Sequence, residues 1–230
     1  MMRLYIANKN YSSWSLRPWV LMWELAIEFE EELVPFESSN NYDIFRRFSP
    51  SGRVPCLVDG DLTVWDSLAI TEYLAEQYPA VWPPDARARA WARCAAAEMH
   101  SGFSVVRNVC GMSCGVRVRL NDVPAALTAE WRRIDELWQE GLSRFGGPFL
   151  AGESFTGVDA FFAPVAFRIQ TYEPKLSQTA LGYAGRLLAL ASMRSWYDAA
   201  IDETWRDEDV DAEVRSLGVV VKDLRRTQAV

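Results

Sequence analysis

The chain has 230 residues, of which 50% are hydrophobic and 24% are charged, and its formal net charge is −7. This composition is typical of a soluble globular protein, and the length suits one large domain or two small ones. An acidic chain lacks the electropositive footprint of a general nucleic-acid-binding protein, so we expect no nucleic-acid partner.

The sequence also argues against secretion, membrane insertion and a metal site. The first ten residues contain no apolar stretch of signal-peptide length. The most apolar segments, 19–23, 158–167 and 187–191, are much shorter than the roughly 20 residues that a membrane span needs. The four cysteines are scattered and His100 is the only histidine, which predicts reduced thiols rather than disulfides or zinc ligands. We therefore expect a cytoplasmic protein without a bound metal or a membrane partner.

Residues 3–78 alternate runs typical of strands with runs typical of helices. Asp59-Gly60 between two apolar runs is a strong hairpin signal. Asp66-Ser67 then opens an amphipathic helix. The predicted strands are 3–7, 32–36, 54–58 and 62–65, and the predicted helices are 15–27 and 68–78.

Beyond residue 79 the pattern becomes helical. Three prolines in 79–85 predict a linker. The predicted helices are 86–107, 125–145, 156–172 and one within 181–203, and no clear strand is found between 86 and 203. We predict an α/β domain at 1–79, an all-helical domain at 86–205 and a tail at 206–230, in which only Val219–Val221 suggests order.

Three stretches of the first domain place hydroxyls or free backbone groups at the ends of predicted elements. SSWSLR (12–17) lies between the first strand and the first helix, where serines either cap the helix or bind an anion with its N-terminus. SPSGRVP (49–55) is either a simple turn before a strand or a turn with a cis proline. Asp66-Ser67 is either a helix N-cap or an anion-binding corner.

In this order and spacing, the three stretches resemble the N-terminal, thioredoxin-like domain of the cytosolic glutathione transferases. SSWSLR is similar to the zeta-class serine motif Ser-Ser-Cys-Ser-x-Arg, with Trp14 in place of the cysteine. SPSGRVPCLVDGD (49–61) and WDSLAITEYLAE (65–76) resemble the family's Asn-Pro-x-Gly-x-Val-Pro-x-Leu and Glu/Gln-Ser-x-Ala-Ile-x-x-Tyr-Leu stretches. FTGVDAFFAP (155–164) resembles the capping box of its all-helical C-terminal domain. The resemblance implies this two-domain fold over residues 3–203.

The resemblance also implies a role for each matching residue. Ser12 would be the catalytic hydroxyl that donates a hydrogen bond to the glutathione sulfur, with Ser13 and Tyr11 as rivals. Val54 would pair its backbone with the cysteinyl backbone of glutathione. Ser67 would hold the γ-glutamyl carboxylate and Asp66 the amino group, at a position where the family has Glu or Gln. The remaining residues expected at the glutathione site are Ser13, Trp14, Arg53 and a cis Pro55.

A serine hydroxyl and a helix N-terminus are sufficient for the implied chemistry. A hydrogen bond to a charged sulfur contributes roughly 1.5–3 kcal/mol, and a helix N-terminus adds roughly 0.3–1 kcal/mol. Together they lower the thiol pKa, ordinarily about 8.5, by about one to two units. The thiolate is the nucleophile, so the chemistry needs no histidine base.

The pocket for the electrophile is less defined by the sequence. Its candidate residues either line that pocket or pack in the core, and they are Met99, His100, Phe103, Asn108 and Met112. Cys56, which follows the predicted cis proline, is interpreted as a small buried hydrophobe.

We predict a homodimeric glutathione S-transferase that activates the thiol of its co-substrate glutathione for attack on a small hydrophobic electrophile, as in detoxification. One alternative is zeta-like, glutathione-dependent cis–trans isomerisation. Another is a non-catalytic member that binds glutathione or serves as a scaffold, since a fold alone does not give a function. The intact Ser12, Val54-Pro55 and Asp66-Ser67 favour a working site.

Overall fold

The computed structural model describes residues 1–37 and 41–226. Its first domain contains a four-stranded sheet of order β2-β1-β3-β4, in which β1 and β2 are parallel and the other neighbours are antiparallel. Helix α1 returns the chain between β1 and β2, which explains the parallel pair. The elements are β1 (Met2–Ile6), α1 (Ser13–Glu24), β2 (Phe29–Leu33), α2 (Asn41–Phe45), β3 (Cys56–Asp59), β4 (Leu62–Trp65) and α3 (Ser67–Gln77). The predicted thioredoxin-like arrangement is confirmed.

The main difference within this domain is strand β2, which begins three residues before the predicted 32–36. Its sequence is FEEEL, and only Phe29 and Leu33 pack against the core. Because three of its five residues are glutamates, the strand has no hydrophobic run by which it could be predicted. The sheet accommodates these charges because β2 is an edge strand. The short helix α2 was not predicted.

The second domain is mainly helical. It contains α4 (Ala86–Ser101), α5 (Ser104–Val109), α6 (Ala125–Phe145), α7 (Gly157–Tyr172), α8 (Gln178–Leu188) and α9 (Ala191–Asp202). Helix α7 is buried along nearly its whole length and packs against α1, α4 and α8. The predicted capping box between Thr156 and Asp159 is present at its start.

Two helix predictions were wrong. The predicted single helix 86–107 is interrupted at Gly102 and Phe103, and Phe103 adopts a left-handed backbone with φ of +53°. The region 181–203 holds two helices rather than one. The predicted linker at 79–85 contains a short 3-10 turn (Pro79–Val81), and Val81 and Trp82 are buried in the core.

The expectation of no strand between 86 and 203 was also wrong. β5 (Val116–Leu120) pairs antiparallel with β6 (Gly218–Asp223), which follows helix α10 (Glu208–Leu217) in the tail. The sequence VRVRL has the alternation of a strand with one buried face, but its partner lies about a hundred residues downstream. The tail is therefore ordered through residue 226 and closes onto the second domain.

All four cysteines are unpaired. In the two described ranges, no helix is both long enough and apolar enough to cross a membrane.

Candidate functional site

Strand register brings the three sequence motifs to one end of the sheet. Cys56 in β3 lies opposite Tyr5 in β1 and Trp65 in β4. Pro55 therefore lies beside the C-terminal end of β1, where the loop to α1 begins, and Asp66 follows directly after β4. Motifs that are far apart in sequence thus share one edge of the sheet.

Ser12 stands at the N-cap position of α1 without capping the helix. Its buried hydroxyl donates to Ser15 Oγ at 2.7 Å. Ser15 Oγ in turn accepts the backbone N–H of Ala7 at 3.2 Å. The capping role considered for Ser12 is therefore not observed, and its hydroxyl lies at the positive end of the helix.

Ser13, the first residue of α1, contacts a cation from the second domain. Its Oγ accepts a hydrogen bond from Arg168 Nη2 at 3.2 Å. Arg168 Nη1 donates to the backbone carbonyl of Cys110 at 2.6 Å. Arg168 and Asp159 are the two charged residues of this buried, mostly apolar helix, and the sequence analysis did not single out Arg168.

Tyr11 is engaged by the tail. Its phenol donates to Asp211 Oδ1 at 3.1 Å and accepts from Arg225 Nη1 at 3.0 Å. Burial and the neighbouring Asp211 raise the pKa of Tyr11 to about 12. The phenol is therefore protonated at neutral pH and engaged by two side chains of the tail. No local pattern announced Asp211 and Arg225, because they meet Tyr11 only through the tertiary fold.

The corner after β4 contains the helix N-cap that was considered for it. Asp66 caps α3, its Oδ1 accepting the N–H groups of Leu68 and Ala69 at 2.8 and 3.4 Å. Its other oxygen lies 3.5 Å from His100 Nε2. Ser67 Oγ is buried and accepts from Arg17 Nη1 at 3.3 Å.

Arg17 is a fully buried guanidinium in the middle of the site. Its Cζ atom lies 4.0 Å from the ring centroid of Trp14 and 4.8 Å from that of Phe161. Its Nε has no hydrogen-bond partner in the described part of the chain. Burial, with smaller contributions from Arg168 and Arg107, lowers the pKa of Arg17 to about 9, so the group is still charged at neutral pH. The site therefore has a strongly positive interior.

The Val54–Pro55 peptide bond is cis, as predicted. Pro55 is buried, Val54 is half-buried and Arg53 is exposed. Cys56 is fully buried, and burial raises the pKa of its thiol to about 11. The burial agrees with the interpretation of Cys56 as a small buried hydrophobe.

His100 lies on the rim of the site, as one of the candidates for the electrophile pocket. Its ring meets the edge of Trp14 at 5.4 Å, and Arg107 packs over the same tryptophan. Burial lowers the pKa of His100, although Asp66 acts in the opposite direction. His100 is therefore neutral at neutral pH and can accept or donate a hydrogen bond there.

The other candidates for that pocket differ in burial. Met99, Phe103 and Met112 are buried in the hydrophobic core, and Asn108 is exposed on α5. The structure also contains a cavity of about 940 Å³ that Cys110 borders. Its lining comes mainly from α6, the β5–β6 ribbon and the segment 171–175.

No cluster of three or more potential metal-ligating side chains occurs within residues 1–37 and 41–226.

Comparison with known families decides the classification. A family model for the glutathione S-transferase N-terminal domain matches residues 11–77. A second model, for the C-terminal domain of the same family, matches residues 120–207. The chain belongs to the glutathione S-transferase family. The two matches cover the sheet edge just described and the buried helix that delivers Arg168.

Individual relatives match this chain either over a short segment or at low sequence identity. A dichloromethane dehalogenase from Methylophilus leisingeri is 51% identical over 59 residues, which is 25% of this chain and 22% of that protein. The match therefore spans only about a fifth of that relative. A probable maleylacetoacetate isomerase from Vibrio cholerae is 28% identical over 154 residues, covering 64% of this chain and 71% of that protein.

Solved structures share the fold. A glutathione transferase homologue from Burkholderia, crystallised with bound glutathione, superposes with a TM-score of 0.67 and 23% identity over 86% of this chain and 97% of that chain. At this identity the likeness establishes the glutathione transferase fold of the present chain.

Proposed function

We propose that this protein binds glutathione at the sheet edge and activates its thiol as a nucleophile, with Ser12 as the catalytic hydroxyl. The observation that carries the proposal is the convergence of the α1 N-terminus, the cis Pro55 and the Asp66-Ser67 corner on one edge. Buried Arg17 behind Ser67 supports an anionic ligand there.

The binding mode follows from the matched motifs. The backbone of Val54 pairs with the cysteinyl backbone of glutathione. Ser67, backed by the Arg17 guanidinium at 3.3 Å, receives the γ-glutamyl carboxylate. Asp66 keeps one carboxylate oxygen free of the α3 cap and directs it to the amino group. Trp14, Ser13 and Arg53 complete the proposed glutathione site.

The proposed reaction is a thiolate addition or displacement on a small hydrophobic electrophile. The thiol proton leaves to solvent, and the Ser12 hydroxyl turns from Ser15 to the sulfur. A sulfur lone pair then forms the new C–S bond. In a displacement the leaving group departs with its bonding electrons, and in an addition the electron pair of the broken π bond stays on the electrophile and takes a proton from solvent. The positive end of α1 stabilises the thiolate before attack.

The three hydroxyls at the start of α1 can be separated by substitution. Glutathione binding is measured by calorimetry, and thiolate absorbance is followed against pH, for wild type, Ser12→Ala, Ser13→Ala and Tyr11→Phe. We expect all four proteins to bind, and Ser12→Ala to raise the pKa of the bound thiol most. Wild type that does not bind glutathione would refute the proposal and favour a scaffold role.

Glutathione-dependent isomerisation is a second candidate. The SSxSxR motif and the similarity to a probable maleylacetoacetate isomerase favour it. An isomerase adds the thiolate reversibly, so turnover proceeds with no net loss of free thiol. Parallel assays of product formation and free thiol distinguish it from a transferase. A homodimer and a cytoplasmic location stay predictions, the first of which sedimentation analysis can test.

A further inference from the structure

Arg168 is a buried cation, and no carboxylate of residues 1–37 or 41–226 pairs with it. Arg168 is 3% exposed, and its guanidinium donates to two neutral acceptors, the Cys110 carbonyl and Ser13 Oγ. Its Nε has no hydrogen-bond partner among the residues that the structure describes. A buried charge without a counter-ion is costly, so this arrangement needs an explanation.

The ionisable neighbours of Arg168 do not supply that counter-ion. Burial raises the pKa of the Cys110 thiol to about 12, and it raises the pKa values of Cys114 and Tyr172 further. All three groups are neutral at pH 7. Arg107 adds a second positive charge nearby, and burial lowers the pKa of Arg168 to about 10. Arg168 is nevertheless charged under ordinary conditions.

Bound glutathione carries two carboxylates and an ionisable sulfur. Its glycyl carboxylate follows the cysteinyl backbone, which is assigned to Val54. Its γ-glutamyl carboxylate is assigned to Ser67, beside Arg17, so that carboxylate balances Arg17. Its sulfur is assigned to Ser12, and the adjacent Ser13 is the hydroxyl that Arg168 contacts at 3.2 Å. Of the three groups, the sulfur is the one assigned next to Ser13 and therefore nearest to Arg168.

We propose that Arg168 is the counter-charge of the glutathione thiolate, an inference that rests on the proposed function. The N-terminal domain then supplies the hydroxyl and helix end, and the C-terminal domain supplies the cation through α7. An opposite charge within about 4–6 Å shifts an acid by about one to three pKa units. Arg168 acts on the sulfur through its charge and through the position of Ser13, so it is a positioning and electrostatic residue.

The proposal is tested with three proteins: wild type, Arg168→Gln and Arg168→Lys. Arg117→Gln is the matched control, since Arg117 Nη1 also donates to a carbonyl of the same segment, that of Cys114. The pKa of bound glutathione is read from thiolate absorbance. Calorimetry with glutathione and with S-methylglutathione, which cannot ionise at sulfur, gives a second readout.

We expect Arg168→Gln to raise the bound thiol pKa by one unit or more, and Arg168→Lys and Arg117→Gln to change it by less than half a unit. The preference of wild type for glutathione over S-methylglutathione at pH 8 should fall about tenfold in Arg168→Gln. A purely structural Arg168 would weaken both ligands equally.

An unchanged thiol pKa in folded Arg168→Gln that still binds glutathione overturns the proposal. If Arg168→Gln does not fold, Arg168→Lys decides, because a rise of one unit there means that geometry rather than charge is responsible. Wild type without a lowered thiol pKa would instead refute the proposed function itself.

Discussion

The phenol of Tyr11 and the carboxylate of Asp211 are hydrogen-bonded at 3.1 Å although they lie 200 positions apart in the sequence. Arg225 binds both groups, with Nη1 at 2.7 Å from each Asp211 oxygen. Arg225 and Asp211 are almost fully buried. The tail thus fastens the residue that immediately precedes Ser12.

Removing the charge of Asp211 should destabilise the protein. Asp211→Asn leaves Arg225 buried beside a neutral amide and still paired with Asp223, so we expect a loss of about 1–3 kcal/mol in the free energy of unfolding. Asp223→Asn is the control, because this half-exposed partner should cost less than about 1 kcal/mol. Urea unfolding measures both, and equal losses would contradict the importance of the buried pair.

Glu203 should make stability depend on pH. Its carboxylate accepts the backbone N–H groups of Lys9 and Asn10, and burial raises its pKa to about 7. Between the unfolded pKa of about 4.3 and pH 7 the folded state holds a proton that the unfolded state has released. The free energy of unfolding therefore falls as pH rises through this range.

Glu203→Gln removes this titration. Relative to the variant, we expect wild type to lose about 1–3 kcal/mol of stability between pH 5 and pH 8. Chemical denaturation at a series of pH values checks the difference. Parallel pH profiles of the two proteins would show that Glu203 titrates normally.

Two fully buried tryptophans, of which only one has a hydrogen-bonded indole N–H in the described ranges, allow the contribution of that hydrogen bond to be measured at equal side-chain volume. Trp196 Nε1 donates to the Lys9 carbonyl at 2.8 Å, whereas Trp138 Nε1 has no partner among the described residues. Both Trp→Phe variants lose similar packing. We expect Trp196→Phe to cost about 1–2 kcal/mol more than Trp138→Phe, because it leaves the buried Lys9 carbonyl with only the weak thiol donor of Cys114. Urea midpoints compared at constant slope report the difference.

Ser67→Ala should weaken glutathione binding without altering thiol ionisation. A hydrogen bond to a charged group contributes about 1.5–3 kcal/mol, which corresponds to roughly a 10- to 100-fold loss of affinity. Ser101→Ala, which removes an exposed hydroxyl bonded within its own helix, is the control. If Ser67→Ala instead changed the pKa of the bound thiol and left the affinity for glutathione unchanged, the sulfur rather than the carboxylate would lie at Ser67.

The sequence predicted features that are governed by local chemistry. Helix α6 was predicted to the residue, because its apolar spacing and the Gly146-Gly147-Pro148 stop define it without tertiary information. The cis Pro55 and the capping box of α7 were recognised from short motifs.

Features that depend on distant partners were missed. β5 has a visible alternation, but a strand needs a partner, and Val118 finds Val220 only in the folded chain. Arg168 lies in a mostly apolar helix whose other charged residue is the capping-box Asp159, and the sequence analysis did not single it out. Its contact with Ser13 joins residues 155 positions apart, which no local rule could supply.

The tail contacts have a consequence for the order of events during synthesis. The loop at residues 8–11 is made early, yet it meets Glu203, Asp211 and Arg225 only after nearly the whole chain has left the ribosome. All strands of the first domain's sheet lie within residues 2–65, so the sheet can form early in synthesis. The loop before Ser12 can make its contacts with Glu203, Asp211 and Arg225 only later. Nascent chains stalled before residue 203 should thus carry a formed sheet and an unfinished loop.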